Sequence, residues 1–87
     1  MNFNTEYITI LQRSLSIFPN PTVSNPVIKA TQNRPIQFIE VYSISGTKIF
    51  SKQNINREEF VLPVGDQSKG VYIVKINAFI SKKLVLH

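Results

Sequence analysis

The stretch Lys69-Gly-Val-Tyr-Ile-Val-Lys-Ile76 constrains the fold more than any other part of the chain. After Gly70, Tyr72, Val74 and Ile76 fall on one face and Val71, Ile73 and Lys75 on the other. A repeat of two is the signature of a strand, and β-branched and aromatic side chains fit its pleated surface. Val71 and Ile73 are apolar too, so the beginning of this strand is expected to be covered on both sides. It reads as the central strand of a small all-β domain.

The remaining segments repeat the same theme on a shorter scale. Leu15-Ser-Ile-Phe18 alternates and stops at Pro19-Asn-Pro-Thr22. Two prolines there fix φ, remove backbone donors and favour extended neighbours, which predicts a rigid turn and excludes a helix. Pro26-Val-Ile-Lys-Ala-Thr31 reads as a strand with proline at its tolerated first position. Ile36-Gln-Phe-Ile-Glu-Val-Tyr-Ser43 is a second long strand, with Ile39 and Val41 expected in the core. Ser43-Ile-Ser-Gly46 is a hairpin loop, its glycine able to take positive φ. Thr47-Lys-Ile-Phe-Ser51 returns with Ile49 inward. Glu59-Phe-Val-Leu62 follows as a strand with Phe60 and Leu62 on one face. A turn around Asn77 to Ser81 leads to a closing strand, Lys82-Lys-Leu-Val-Leu-His87. Short strands ended by Pro, Gly or Asn leave little room for a helix and predict an all-β sandwich. Residues 15–87 form that domain. Residues 1–14 are expected to be linker or a frayed N-terminal segment, although Tyr7-Ile-Thr-Ile-Leu11 also fits a short strand.

At 87 residues the chain is one domain near the lower size limit for folding without staples. It has no cysteine, so neither disulfides nor thiolate metal sites are available. No apolar run approaches the roughly 20 residues that span a bilayer, so no membrane insertion is expected. The first residues are not expected to act as a secretory signal peptide, because residues 1–6 carry no basic group and include Glu6.

Catalytic chemistry is nearly absent, and the chain is expected not to be an enzyme. Its one histidine, His87, is the last residue, where fraying argues against a catalytic or ligand role. Glu58 and Glu59 are adjacent, so in a strand they point to opposite faces and form no carboxylate pair. The serines lack a nucleophile-elbow context, and no His, Cys or Asp cluster suits a metal. No cofactor is expected. The net charge is +5, with Lys69, Lys75, Lys82 and Lys83 following Asp66 and no acid among them. Taken singly, each of these lysines is explained as protection of a strand edge or face. Nucleic-acid binding is not expected, since a recognition helix and exposed stacking aromatics are both missing from the pattern.

Four segments occur in a fixed order: Leu15-Ser-Ile-Phe-Pro-Asn-Pro-Thr22, Ile39-Glu-Val-Tyr-Ser-Ile-Ser-Gly46, Lys69-Gly-Val-Tyr-Ile-Val-Lys-Ile76 and Lys82-Lys-Leu-Val-Leu86. In this the chain resembles the C-terminal sorting domains of cargo proteins exported by the type IX secretion system of Bacteroidetes. The resemblance covers residues 15–87. Carried onto this sequence, it marks Pro19, Asn20 and Pro21 in the first motif, Gly46 in the second, Gly70 and Tyr72 in the third, and Lys82 and Lys83 in the last. It implies an immunoglobulin-like β-sandwich of about seven short antiparallel strands that works as an address label behind a larger cargo, present in the periplasm in transit and then at the cell surface or secreted. The implied partners are the attached upstream cargo, the outer-membrane translocon and a sortase that removes the label. It also implies that the chain is part of a longer protein.

A physical mechanism accompanies that expectation. The closing segment Lys82, Lys83, Leu84, Val85 and Leu86, if it forms a sheet edge, can add to a partner's sheet while the two lysines steer the approach. The rival reading is a passive immunoglobulin-like spacer or carbohydrate-binding accessory module. Carbohydrate binders usually present exposed aromatics, and this chain has no tryptophan.

Overall fold

In the computed structural model, which describes residues 15–30, 34–77 and 80–87, the alternating segments become strands and the breakers become turns. The possible strand at residues 7–11, and the linker expected over 1–14, lie outside the described residues. The seven strands among the described residues are β1 (Leu15–Phe18), β2 (Val27–Ala30), β3 (Ile39–Ser43), β4 (Lys48–Lys52), β5 (Glu59–Val61), β6 (Gly70–Ile76) and β7 (Ile80–Leu86). Among the described residues there is no helix.

Among the described residues the pairings between strands are all antiparallel and build two sheets, one ordered β1-β2-β5 and the other β4-β3-β6-β7. The expected sandwich is therefore present and β6 is an inner strand, but its second face is not covered as expected. Val71 and Ile73 are only half-buried on the outer face of the sheet, because among the described residues no further layer packs there. Register fixes which side chains meet. Ile39 pairs with Ile76 and Val41 with Val74, while Tyr72 faces Leu84 on the other flank of β6. These six are buried, together with Leu15, Ile28 and Ala30 from the opposing sheet. Leu62 lies just beyond β5 and is buried, with Phe60 partly buried against the same core.

Two contacts join the sheets at their flanks. Near β4 and β5, the Phe50 and Phe60 rings sit with centroids 6.2 Å apart. A bulge between β3 and β4 sets Phe50 opposite Val41, so both Ile49 and Phe50 pack on the core where only Ile49 was expected. At the other flank, the segment after β1 crosses to β7, and Thr22 makes a parallel bridge to Leu86.

Two strand boundaries differ from expectation. Residues 36–38 do not continue β3 towards its N-terminus. Asn77 intervenes: its side-chain Oδ1 accepts from the Gln37 amide at 2.7 Å, and its own amide donates to the Phe38 carbonyl at 3.0 Å. Ile36 is instead held by an isolated bridge to Arg57 and is fully buried. Asn77 has φ 56°, a left-handed conformation that asparagine tolerates. β7 begins at Ile80, earlier than Lys82, because Ile80 pairs with Ile76 and reaches the core. Gly46 takes φ 96° in the β3–β4 hairpin, which explains a glycine there by turn geometry alone.

Candidate functional site: the strapped C-terminal strand

The outer edge of β7 is where the first and last motifs meet. Along a strand edge every second residue presents its amide and carbonyl outward, and these groups need partners. In β7 they belong to Ser81, Lys83 and Val85, and His87 follows at the same parity just beyond the strand. Asn20 Nδ2 donates to the Lys83 carbonyl at 2.8 Å, and the Val85 amide donates to Asn20 Oδ1 at 3.0 Å. The Thr22 amide then donates to the Val85 carbonyl, and the His87 amide donates to the Thr22 carbonyl, both at 2.9 Å. One asparagine side chain and one threonine backbone thus act as a short substitute strand.

The local sequence explains how this strap is held. Pro19 and Pro21 flank Asn20 and offer no amide of their own, so they cannot compete for acceptors. Both preceding peptide bonds, Phe18–Pro19 and Asn20–Pro21, are cis. Thr22 is buried, and its hydroxyl accepts from the Ser24 amide at 3.1 Å. Asn25 extends the anchoring: its Oδ1 accepts from the Gly65 amide at 2.7 Å. A Cβ at Gly65 would stand 2.7 Å from that same oxygen, so a larger residue there would push the Asn25 side chain off this bond. Neither Thr22 nor Asn25 was legible as a contact residue, because their partners lie some 40 to 65 residues away.

The structure divides the five residues of the closing motif. Leu84 and Leu86 are buried against the core and offer no side-chain surface to a partner. Lys82 shares the inner face with Ile80 and Leu84, at the rim of the sandwich, and burial pulls its ammonium below the ordinary value. Lys83 and Val85 project from the opposite, outer face. The two lysines therefore do not form one patch, and the strap already occupies the edge over Lys83, Val85 and His87. Strand addition along that part of β7, expected from sequence, would have to displace the strap from the Lys83 carbonyl, the Val85 amide and carbonyl and the His87 amide. An inward-pointing lysine at a sheet edge is a recognised device against edge pairing.

The remaining motif residues have structural places. Gly70 opens β6 opposite Leu86 with φ 153°. Tyr72 is 6% exposed, and its hydroxyl donates to the Ser68 carbonyl at 2.5 Å. On the outer face of the four-stranded sheet, Tyr42 donates to Glu40 at 3.0 Å and Lys48 pairs with Glu40 at 3.5 Å. The hydrogen bond to that carboxylate raises the Tyr42 phenol above its ordinary value; partial burial and the Glu40 charge add to this, and Lys48 opposes it. Lys75 Nζ lies 5.2 Å from the centre of the Tyr42 ring, a cation–π distance. A depression of about 360 Å³ beside β4 and β5 is lined by Lys52, Asn54, Ile55, Arg57 and Phe60. None of the expected site residues lines it.

A family model described as secretion system C-terminal sorting domain matches residues 16–87, from β1 to the end of the chain. No curated protein matches the sequence.

Proposed function

The chain belongs to the C-terminal sorting domains of type IX secretion, and on that basis we propose that it routes an attached upstream cargo through the outer-membrane translocon. Membership implies export across the outer membrane to the cell surface or the medium, and attachment to a cargo and to the secretion machinery. The finer steps are our reading. The cargo crosses the inner membrane by its own signal peptide, the folded label is recognised in the periplasm, and a sortase-like protease removes it after passage. The label itself carries out no catalytic step and uses no cofactor.

The observation that carries this reading is the joining of the first and last family motifs in one hydrogen-bonded unit, Asn20 and Thr22 on β7. A receptor that serves many unrelated cargoes needs a label of fixed shape. Here the surfaces at β7 are fixed by a strap made from the Asn20 side chain and the Thr22 backbone. Preorganisation of this kind lowers the ordering cost of binding.

The test is a fusion of the 87-residue chain behind a signal peptide and a fluorescent reporter, expressed in a bacterium that has a type IX system. The reporter is expected in the medium or on the cell surface. A folded fusion that stays in the periplasm removes the sorting function and leaves the spacer reading in its place.

A further inference from the structure

We propose that the outer face of the β3–β6–β7 sheet, built by Tyr42, Val71, Ile73, Lys75, Lys83 and Val85, docks on an acidic protein surface of the export machinery. The inference rests on the sorting function and adds where the label is read and by what chemistry.

Register places these side chains together. Tyr42 pairs with Ile73 and Ile73 with Lys83, while Val71 pairs with Val85 one step along. Within each strand residues two apart share a face, which brings Lys75 beside Ile73 and Val85 beside Lys83. The four apolar members are only half-buried, so they form a continuous strip open to a partner. Lys75 and Lys83 are exposed at its sides.

Charge selects the occupant. This face carries Lys48, Lys75 and Lys83 against the single acid Glu40, and Glu40 is already engaged by Lys48 and the Tyr42 hydroxyl. The outer face of the other sheet is balanced, with Lys29 paired to Glu59 at 3.8 Å. An apolar strip with a cationic margin complements an acidic partner surface and steers its approach. The strap closes the adjacent edge of β7, so recognition by a flat face takes precedence over strand addition there. A lipid surface fits less well. Interfacial membrane binding uses large apolar side chains that insert, and the exposed ones, Phe18, Val23, Ile44 and Val61, all lie off this strip.

The experiment uses the reporter fusion with two double variants that change the net charge equally. Lys75→Glu with Lys83→Glu reverses the proposed face, and Arg34→Glu with Lys52→Glu reverses charge elsewhere, at exposed positions. The first pair is expected to lower exported reporter at least tenfold with the melting temperature retained, and the second to stay within twofold of the unmutated fusion. Should the glutamates unfold the domain, Lys75→Gln with Lys83→Gln gives the same direction with a smaller loss. Ile73→Thr with Val85→Thr tests the apolar strip while keeping β-branching, and it too is expected to reduce export. Equal losses in both charge pairs would reduce the effect to bulk charge, and normal export of the face variants would remove the docking surface while leaving the sorting function standing. An unmutated fusion that is never exported removes both. Purified chain is also mixed with phosphatidylglycerol vesicles. Binding that depends on Lys75 and Lys83 would replace the protein occupant with a membrane, and no binding supports the protein.

Discussion

Replacing Asn20 by alanine isolates the strap, because the side chain makes two hydrogen bonds to β7 while remaining exposed itself. Nothing apolar is lost, so the cost is that of the bonds. A net hydrogen bond contributes about 0.5–1.5 kcal/mol, and two in a solvated position place Asn20→Ala near the low end of their sum, about 1–1.5 kcal/mol. In a domain this small each kcal/mol lowers Tm by about 4–8 °C, so a fall of about 4–12 °C is expected. Amide hydrogen exchange gives the sharper reading. The Val85 amide has the Asn20 side-chain Oδ1 as its partner, so its exchange should accelerate through local opening beyond the change seen at Val74, deep in β6. Asn20→Asp provides the control: it keeps an acceptor for Val85 but sets a carboxylate oxygen against the Lys83 carbonyl. Val85 should then stay protected while Tm still falls. If Asn20→Ala leaves both Tm and Val85 protection unchanged, the strap does not hold the strand and the argument built on it fails.

Two further outcomes follow from the packing and the electrostatics. Tyr72→Ala should cost about 3–5 kcal/mol in urea denaturation, as for large buried aromatics, whereas Tyr72→Phe loses only the bond to Ser68 and should cost about 1 kcal/mol. A Tyr72→Ala cost below about 1 kcal/mol would place the ring outside the core. Tyr42 has a folded-state pKa above its ordinary 10.0, so its contribution is complete below that pH and lost as pH rises through the raised value. Stability of the unmutated chain should therefore fall relative to Tyr42→Phe above about pH 10, and parallel pH curves for the two proteins would contradict the Glu40 hydrogen bond.

Much of the fold was legible because it rests on a repeat of two. Alternation in Tyr72, Val74 and Ile76, and in Ile39 and Val41, placed the core correctly, since burying one face of a strand leaves little choice of register. The same repeat already implied that Lys82 and Lys83 point to opposite faces, although the pair reads along the sequence as one basic cluster. What escaped was side chains bonding to distant backbone. Asn77 cuts β3 short, Asn25 holds Gly65 and Asn20 caps β7, and in each case an asparagine reads locally as a turn residue. Their partners are fixed only once the sheets have assembled. The Tyr42–Lys75 face was illegible for a related reason, as cross-strand neighbours are set by pairing and not by proximity in sequence.

The strap also determines when the domain can close. Its bonds span 63 and 65 residues, so they form only after nearly the whole sequence is present and β6 has paired with β7. Contacts of such long range incur their ordering entropy before they return any stabilisation, and they tend to come late in folding. A chain ending before Leu84 lacks the strand, the Val85 groups that Asn20 and Thr22 hold, and the Leu84 side chain that fills the core beside Tyr72. Any receptor that requires the closed form would therefore pass over incompletely synthesised cargo, and completeness of translation would be checked by the same contacts that shape the label.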